Sequence, residues 1–225
     1  MFEVHLLELN KHLSQDVSTK LMQMISSEKR ERINQFHCIE DAERSLLGDV
    51  LVRKLIKDKL GVANHLIKFS ANEYGKPFLE NAPHFHYNLS HSGKYIACAI
   101  SDVPVGIDVE ELKPINMRIA ERFFSSGEVE YILSKPGKEQ KEAFYSIWTM
   151  KEAYIKYKGK GLGIPLNSFN ALDLNMGIFI HCIYHSAQAI CHICSENIVK
   201  PSVINIKIER LLTDTIYSLP VTAQT

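Results

Sequence analysis

The sequence predicts an α+β fold, because its helical and extended patterns arrive in blocks rather than in strict alternation. Three observations carry this. Between residues 13 and 60 apolar side chains recur at helical spacing, and from Leu66 to Glu110 the period changes to two. Helical spacing then resumes at Ile119 and runs to Lys158. At 225 residues the chain is long enough for one large domain or two small ones with a full core.

Taken in order, Phe2 to Leu9 reads as a first strand. Leu13, Val17, Leu21 and Ile25 then give an amphipathic helix that stops near Ser26-Ser27. Ser27 is the expected N-cap of the next helix, with Glu28 in its first turn. Lys29 and Arg32 share one face of that helix beside Arg30, and a solvated face is the plainer reading of such a cluster. Leu47, Val50, Leu51 and Leu55 mark a helix from about Asp41 to Leu60, closed by Gly61, with Arg44 near its start. Ile67 and Phe69 alternate before the turn-rich stretch from Asn72 to Pro77. Phe85, Tyr87 and Leu89 then alternate with polar residues, Ser90-His91-Ser92-Gly93 reads as a turn, and Tyr95 to Ile100 as a strand.

After Pro114, Ile119, Ala120, Phe123 and Phe124 are helically spaced, and Ser125 and Glu128 have capping-box spacing for a short helix. A long helix is expected from about Glu139 to Lys158, with Phe144, Ile147, Trp148 and Ile155 as its apolar stripe. Glu152 and Lys156 lie four apart on it, a spacing that usually means only a surface ion pair. The tail reads as strands from Ile178 to Tyr184, Ala189 to Cys194 and Val203 to Ile208. A zinc site is open there, since Cys191-x-x-Cys194 lies near Cys182, His181, His185 and His192. No second C-x-x-C supports it.

Composition excludes several classes. Split at Val105, each half carries 13 basic and 13 acidic side chains, so nucleic acid is not the expected main partner. No apolar run approaches the ~18 residues of a membrane span, and the N-terminus does not resemble a secretory signal. Five cysteines scattered through apolar patterns read as reduced thiols in a cytoplasmic protein.

The stretch Gly106-Ile107-Asp108-Val109-Glu110 carries the chemistry. Its alternation is that of a half-buried strand, so Asp108 and Glu110 share a face roughly 6–7 Å apart. Two carboxylates so close repel unless a cation separates them, and hard oxygen donors favour magnesium or manganese. For an isolated D-x-E, a polar face meeting solvent is the plainer reading; a third carboxylate further along the chain would tip the balance. Other chemistries fail on context. No G-x-x-x-x-G-K-[ST] occurs, Gly159-Lys160-Gly161-Leu162-Gly163 follows a helix instead of opening one, and Ser90 lies in no G-x-S-x-G elbow. His84 and His86 read as a polar outer face.

Several of these stretches together resemble the 4′-phosphopantetheinyl transferases of the surfactin-synthetase-activating type. They are Tyr74 to Pro77, Asn88 to Gly93, Gly106 to Glu110, Arg122 to Ser125 and Trp148 to Leu162, in consistent order over about residues 1–174. Glu28-Lys29-Arg30 and Asp41 to Val52 are similar as well. The resemblance implies a monomer of two similar α+β subdomains related by pseudo-twofold symmetry, 1–104 and 105–225, with the active site between them. It implies transfer of the 4′-phosphopantetheine arm of coenzyme A to a serine of an apo peptidyl or acyl carrier protein, releasing 3′,5′-ADP. A non-catalytic coenzyme A-binding or carrier-docking module is the alternative.

On that resemblance, Asp108, Glu110 and Glu152 would hold Mg²⁺ or Mn²⁺ against the pyrophosphate. Glu152 would act as the base and Lys156 would stabilise developing charge, with Asp108 and Lys156 both next to coenzyme A. His91 would contact phosphate, and Lys29, Arg32 and Arg44 the 3′-phosphate. Tyr74, Gly75, Lys76, Pro77 and Ser90 would line the adenosine side, and Glu128 would help order the base or the metal's water. The region from Gly159 to about Cys191 would receive the carrier, with Leu162, Ile164 and Phe169 as candidates and a core role equally open. Beyond about Asp173 the chain does not match the family's closing strands.

Overall fold

Two successive runs of the chain build the same topological unit. In the first, strand β1 (Phe2–Glu8) leads through helices α1 (Gln15–Met22), α2 (Ser27–Asn34) and α3 (Ile39–Leu60). A two-stranded arm, β2 (Phe69–Ala71) and β3 (Pro77–Leu79), precedes the hairpin β4 (His86–Ser92) and β5 (Tyr95–Ser101). In the second, β6 (Val105–Glu111) leads through α4 (Met117–Phe123), α5 (Ser126–Leu133) and α6 (Gly137–Lys158) to the hairpin β7 (Phe179–His185) and β8 (Ala189–Ser195). In each unit the opening strand pairs antiparallel with the last hairpin strand, β1 with β5 and β6 with β8. Helices α3 and α6 are each 22 residues long and end on a left-handed glycine, Gly61 at φ 67° and Gly159 at φ 65°. This computed structural model describes residues 1–174 and 177–216, with Leu162 described by its backbone alone; 217–225, the end of the expected second subdomain, lie outside the described residues.

The chain's last described elements depart from the expected assignment of all of 105–225 to one subdomain. Strand β9 (Ser202–Ile206) returns to the first unit and pairs parallel with β1, and α7 (Ile208–Ile216) follows it. The first sheet therefore has the order β4-β5-β1-β9, the second β6-β8-β7. Leu211 of α7 is buried in the core that α3 and β5 share, so residues 202–216 complete the first subdomain, not the second.

Local chemistry explains most element ends. Ser14 accepts a hydrogen bond from the Val17 N–H and caps α1. Ser26, not the expected Ser27, caps α2 by accepting from the Lys29 N–H. Ser125 and Glu128 form the expected capping box of α5. Ser90, His91 and Ser92 correct a second expectation: they belong to β4, and the turn begins only at Gly93.

The two sheets pack face to face through a cluster that includes Val4, Ala97 and Ala99 of the first and Ile107, Val109 and Ile193 of the second. This brings two edge strands, β4 and β6, side by side without a backbone ladder. Side chains of β4 replace the ladder. Asn88 Oδ1, Ser90 Oγ and Ser92 Oγ accept from the N–H groups of Ile107, Val109 and Glu111 at 2.8, 3.2 and 3.1 Å. Polar residues on β4 thus satisfy an edge that would otherwise be buried with orphan donors. Among the described residues no helix is long and apolar enough to cross a membrane.

Candidate active site at the seam of the two subdomains

The β4–β6 seam fixes the first two carboxylates. Ser90 Oγ donates to Asp108 Oδ1 at 2.8 Å, and Ser92 Oγ to Glu110 Oε2 at 2.5 Å. Asp108 is 3% exposed and Glu110 is half-buried, so this face of β6 is largely covered. The other Asp108 oxygen, Oδ2, is buried with no hydrogen-bond partner.

Helix α6 supplies the rest. It crosses β6 so closely that a Cβ on Gly106 would stand 2.1 Å from the Ala153 carbonyl oxygen and 2.2 Å from the Tyr157 nitrogen. Only glycine permits this approach, and it brings Lys156 Nζ to 2.5 Å from Asp108 Oδ1 and 3.1 Å from Ser90 Oγ. Lys156 therefore pairs across to β6, not with Glu152 along its own helix as the spacing suggested. Burial works against the Lys156 ammonium, yet Asp108, Glu152 and Glu110 outweigh it and raise its pKa. Burial raises the pKa of Glu152, and the Asp108 charge adds to this. Glu110 is raised by burial, then by Asp108.

These groups share a cleft of about 680 Å³ between the subdomains, lined also by Lys29, Arg32 and Arg44. Burial, then the neighbouring Arg32 charge, lowers the Lys29 pKa against the pull of Asp49. Arg44 donates to the Gly93 carbonyl at 2.6 Å and pairs with Asp41, while its Nε is buried without a partner. His91 stands exposed at the mouth of the same cleft, its pKa lowered by partial desolvation and then by Arg44 and Lys156. Gly75 and Pro77 line the cleft, and Tyr74 borders an adjoining recess beside Glu152 and Lys156.

Two side chains, Lys76 and Glu128, take other places than the sequence suggested. Lys76 Nζ donates to the carbonyl oxygens of Lys156, Val105 and Tyr157, so its ammonium is committed to backbone, and burial lowers its pKa to about 8. Glu128 is fully buried away from the cleft. It accepts from Ser125 N and Ala171 N, and it pairs at 2.7 Å with Lys151, which is also 0% exposed. It has no free oxygen with which to order a base or a metal's water. Phe169 packs its ring 4.7 Å from that of Tyr154, with Lys151 over its face, while Ile164 is half-exposed and the Leu162 side chain lies outside the described residues.

Sequence reasoning passed over Ser45, Gly48 and Trp148, which also line the cleft. Trp148 lies one turn before Glu152, so its spacing held the signal. Ser45 held none, being an ordinary helix residue until α3 is docked. The cysteine pair of the tail does not converge: Cys191 and Cys194 are three apart on β8 and fall in separate apolar clusters. All five cysteines are free thiols.

The donor set suits a hard divalent ion. Among the described residues no group of three or more histidine, cysteine, aspartate or glutamate side chains is drawn together closely enough to hold a metal ion by itself. The cleft nevertheless brings three carboxylates to one place, one of their oxygens buried and orphaned, and magnesium commonly binds through one or two carboxylates with substrate phosphate completing its shell.

Comparison with known proteins gives a consistent result. The model of the 4′-phosphopantetheinyl transferase superfamily matches residues 104–205. That match runs past Asp173, where motif reading alone lost the likeness. A model of the 4′-phosphopantetheinyl transferase N-terminal region matches residues 13–102. The chain is 47% identical over 162 residues to the 4′-phosphopantetheinyl transferase Sfp of Bacillus subtilis strain 168, covering 72% of each. It is 48% identical, with the same coverage, to the ffp transferase of Bacillus subtilis. To the gsp transferase of Aneurinibacillus migulanus it is 41% identical, covering 75% of this chain and 70% of that one.

Proposed function

The chain belongs to the 4′-phosphopantetheinyl transferase superfamily, and from that premise we propose how its cleft performs the transfer. The reaction moves the 4′-phosphopantetheine arm of coenzyme A to a carrier-protein serine and releases 3′,5′-ADP. Asp108, Glu110 and Glu152 would hold a divalent ion, Mg²⁺ or Mn²⁺, at the pyrophosphate. Such an ion neutralises charge on the phosphate oxygens and so favours in-line attack. The observation that carries this reading is the convergence of these carboxylates with Lys156 in one cleft, with Asp108 Oδ2 buried and unpartnered.

Position in the cleft supports a further role for each of the other residues. Glu152, with its raised pKa, takes the serine proton directly or through water. Lys156 holds positive charge where negative charge grows on the phosphate and leaving group. Lys29, Arg32 and Arg44 bind the 3′-phosphate, where charge-assisted hydrogen bonds serve best. His91 meets the pyrophosphate from the first subdomain, and the backbone of Tyr74 to Pro77 with Ser90 orients the adenosine. The carrier approaches the second subdomain near residues 159–191. Peptidyl and acyl carriers of nonribosomal peptide synthetases or related synthases are the proposed clients. One chain supplies both walls of the cleft, which suits a monomer, and five free thiols suit the reducing cytoplasm.

Intact-mass analysis of an apo carrier incubated with this protein, coenzyme A and Mg²⁺ tests the reading. A gain of one phosphopantetheine group that a chelator abolishes is expected. Carriers of unchanged mass, across several peptidyl and acyl types, would leave only a binding module.

A further inference from the structure

The arm formed by β2 and β3 has three-residue strands, too short to stand alone. Its base rests on the first subdomain, where the Phe69 ring lies 5.5 Å from that of Tyr87 and under the Arg53 guanidinium. Its tip crosses to the second. There Lys76 Nζ donates to the Lys156, Val105 and Tyr157 carbonyls at 2.6, 3.0 and 3.3 Å, using all three ammonium donors. Asn72 Nδ2 donates to the Gly159 carbonyl at 2.8 Å, while its Oδ1 accepts from Tyr74 N and Lys76 N.

The acceptors are informative. Lys156 and Tyr157 belong to the last turn of α6, whose carbonyls have no partner within the helix, and a cation there also complements the helix dipole. Val105 opens β6, three residues before Asp108. The Lys76 ammonium thus ties together the strand that carries Asp108, the helix that carries Glu152 and Lys156, and the turn of the other subdomain. The lysine stem runs across Gly159, where a Cβ would meet Lys76 Cδ at 2.9 Å. On either side of Lys76, Gly75 and Pro77 face the cleft.

We propose that Lys76 is a positioning residue that holds the arm shut against the end of α6, so that the affinity for coenzyme A depends on a side chain that does not touch it. This rests on the coenzyme A reading of the cleft. The experiment uses the full-length protein and its Lys76→Met and Lys76→Arg variants, with steady-state kinetics in both substrates, thermal melts, and hydrogen–deuterium exchange on the free protein. For Lys76→Met we expect the KM for coenzyme A to rise about tenfold, the loss typical of a charged hydrogen bond. The KM for carrier stays unchanged, kcat stays within about threefold, and exchange quickens over residues 70–79; Lys76→Arg recovers part of the coenzyme A affinity. An unchanged KM for coenzyme A would overturn the proposal. So would equal losses for both substrates with a lowered melting temperature that Lys76→Arg does not restore. Should the wild type modify no carrier, the coenzyme A reading fails, and the exchange data still judge the clamp: unaltered exchange over 70–79 overturns it.

Discussion

Lys156 Nζ lies 2.5 Å from Asp108 Oδ1, joining helix α6 to strand β6, which carries both Asp108 and Glu110. The pair is more than a helix-surface contact, because Asp108 is buried and the Ser90 hydroxyl completes a three-way network with both groups. Removing one partner of such a pair leaves the other charged and desolvated.

Lys156→Met is therefore expected to lower both stability and turnover. Loss of a positioned charge-stabilising group costs about 10²–10³ in kcat. Chemical denaturation and single-turnover transfer would separate the two effects.

Glu152→Gln should part activity from stability. Turnover falls about 10²–10⁴-fold if Glu152 takes the serine proton. The metal-free protein becomes no less stable, since the substitution removes a carboxylate whose charge burial and Asp108 oppose. A melting temperature that fell with activity would point to a structural role instead.

The pH dependence follows from the same groups. Glu110 and Glu152 are both raised above the ordinary 4.5. Between that value and their folded values the native state binds more protons than the unfolded chain, so this contribution falls as pH rises. A divalent ion held by the ionised carboxylates, as proposed, would reverse the loss. The rise in melting temperature on adding Mg²⁺ should accordingly be larger at pH 7 than near pH 5. Calorimetry with and without the ion checks this.

Glu128 and Lys151 form a buried pair, 2.7 Å apart and both 0% exposed, which anchors the segment after α6. Lys151→Met should cost about 3–5 kcal/mol, as expected when one partner of a buried pair is removed. The Glu128→Gln/Lys151→Met double variant should recover part of that loss. Activity per folded molecule should persist in the double variant, whereas a catalytic Glu128 would abolish it.

How far the sequence revealed all this depends on the range of each interaction. Strand β6 and helices α3 and α6 were legible because their apolar periods and closing glycines are local. The same holds for the capping box at Ser125 and Glu128, although its buried Lys151 partner comes from another helix. Ser90 to Ser92 looked like a turn because their polar side chains are spent on a neighbouring strand, a contact absent from local pattern. The parallel return of β9 to β1 joins residues some two hundred positions apart, and no periodicity encodes it. Lys76 sits in a motif that the family resemblance places at the adenosine, while its side chain turns to carbonyls that only the folded seam presents.

The most direct measurement is Mn²⁺ binding, followed by electron paramagnetic resonance, to the coenzyme A complex of the wild type and of Asp108→Asn, Glu110→Gln and Glu152→Gln. The account predicts one tightly bound ion in the wild type and affinity weakened at least tenfold in each variant, while the folds persist. Undiminished Mn²⁺ affinity in all three variants would contradict it.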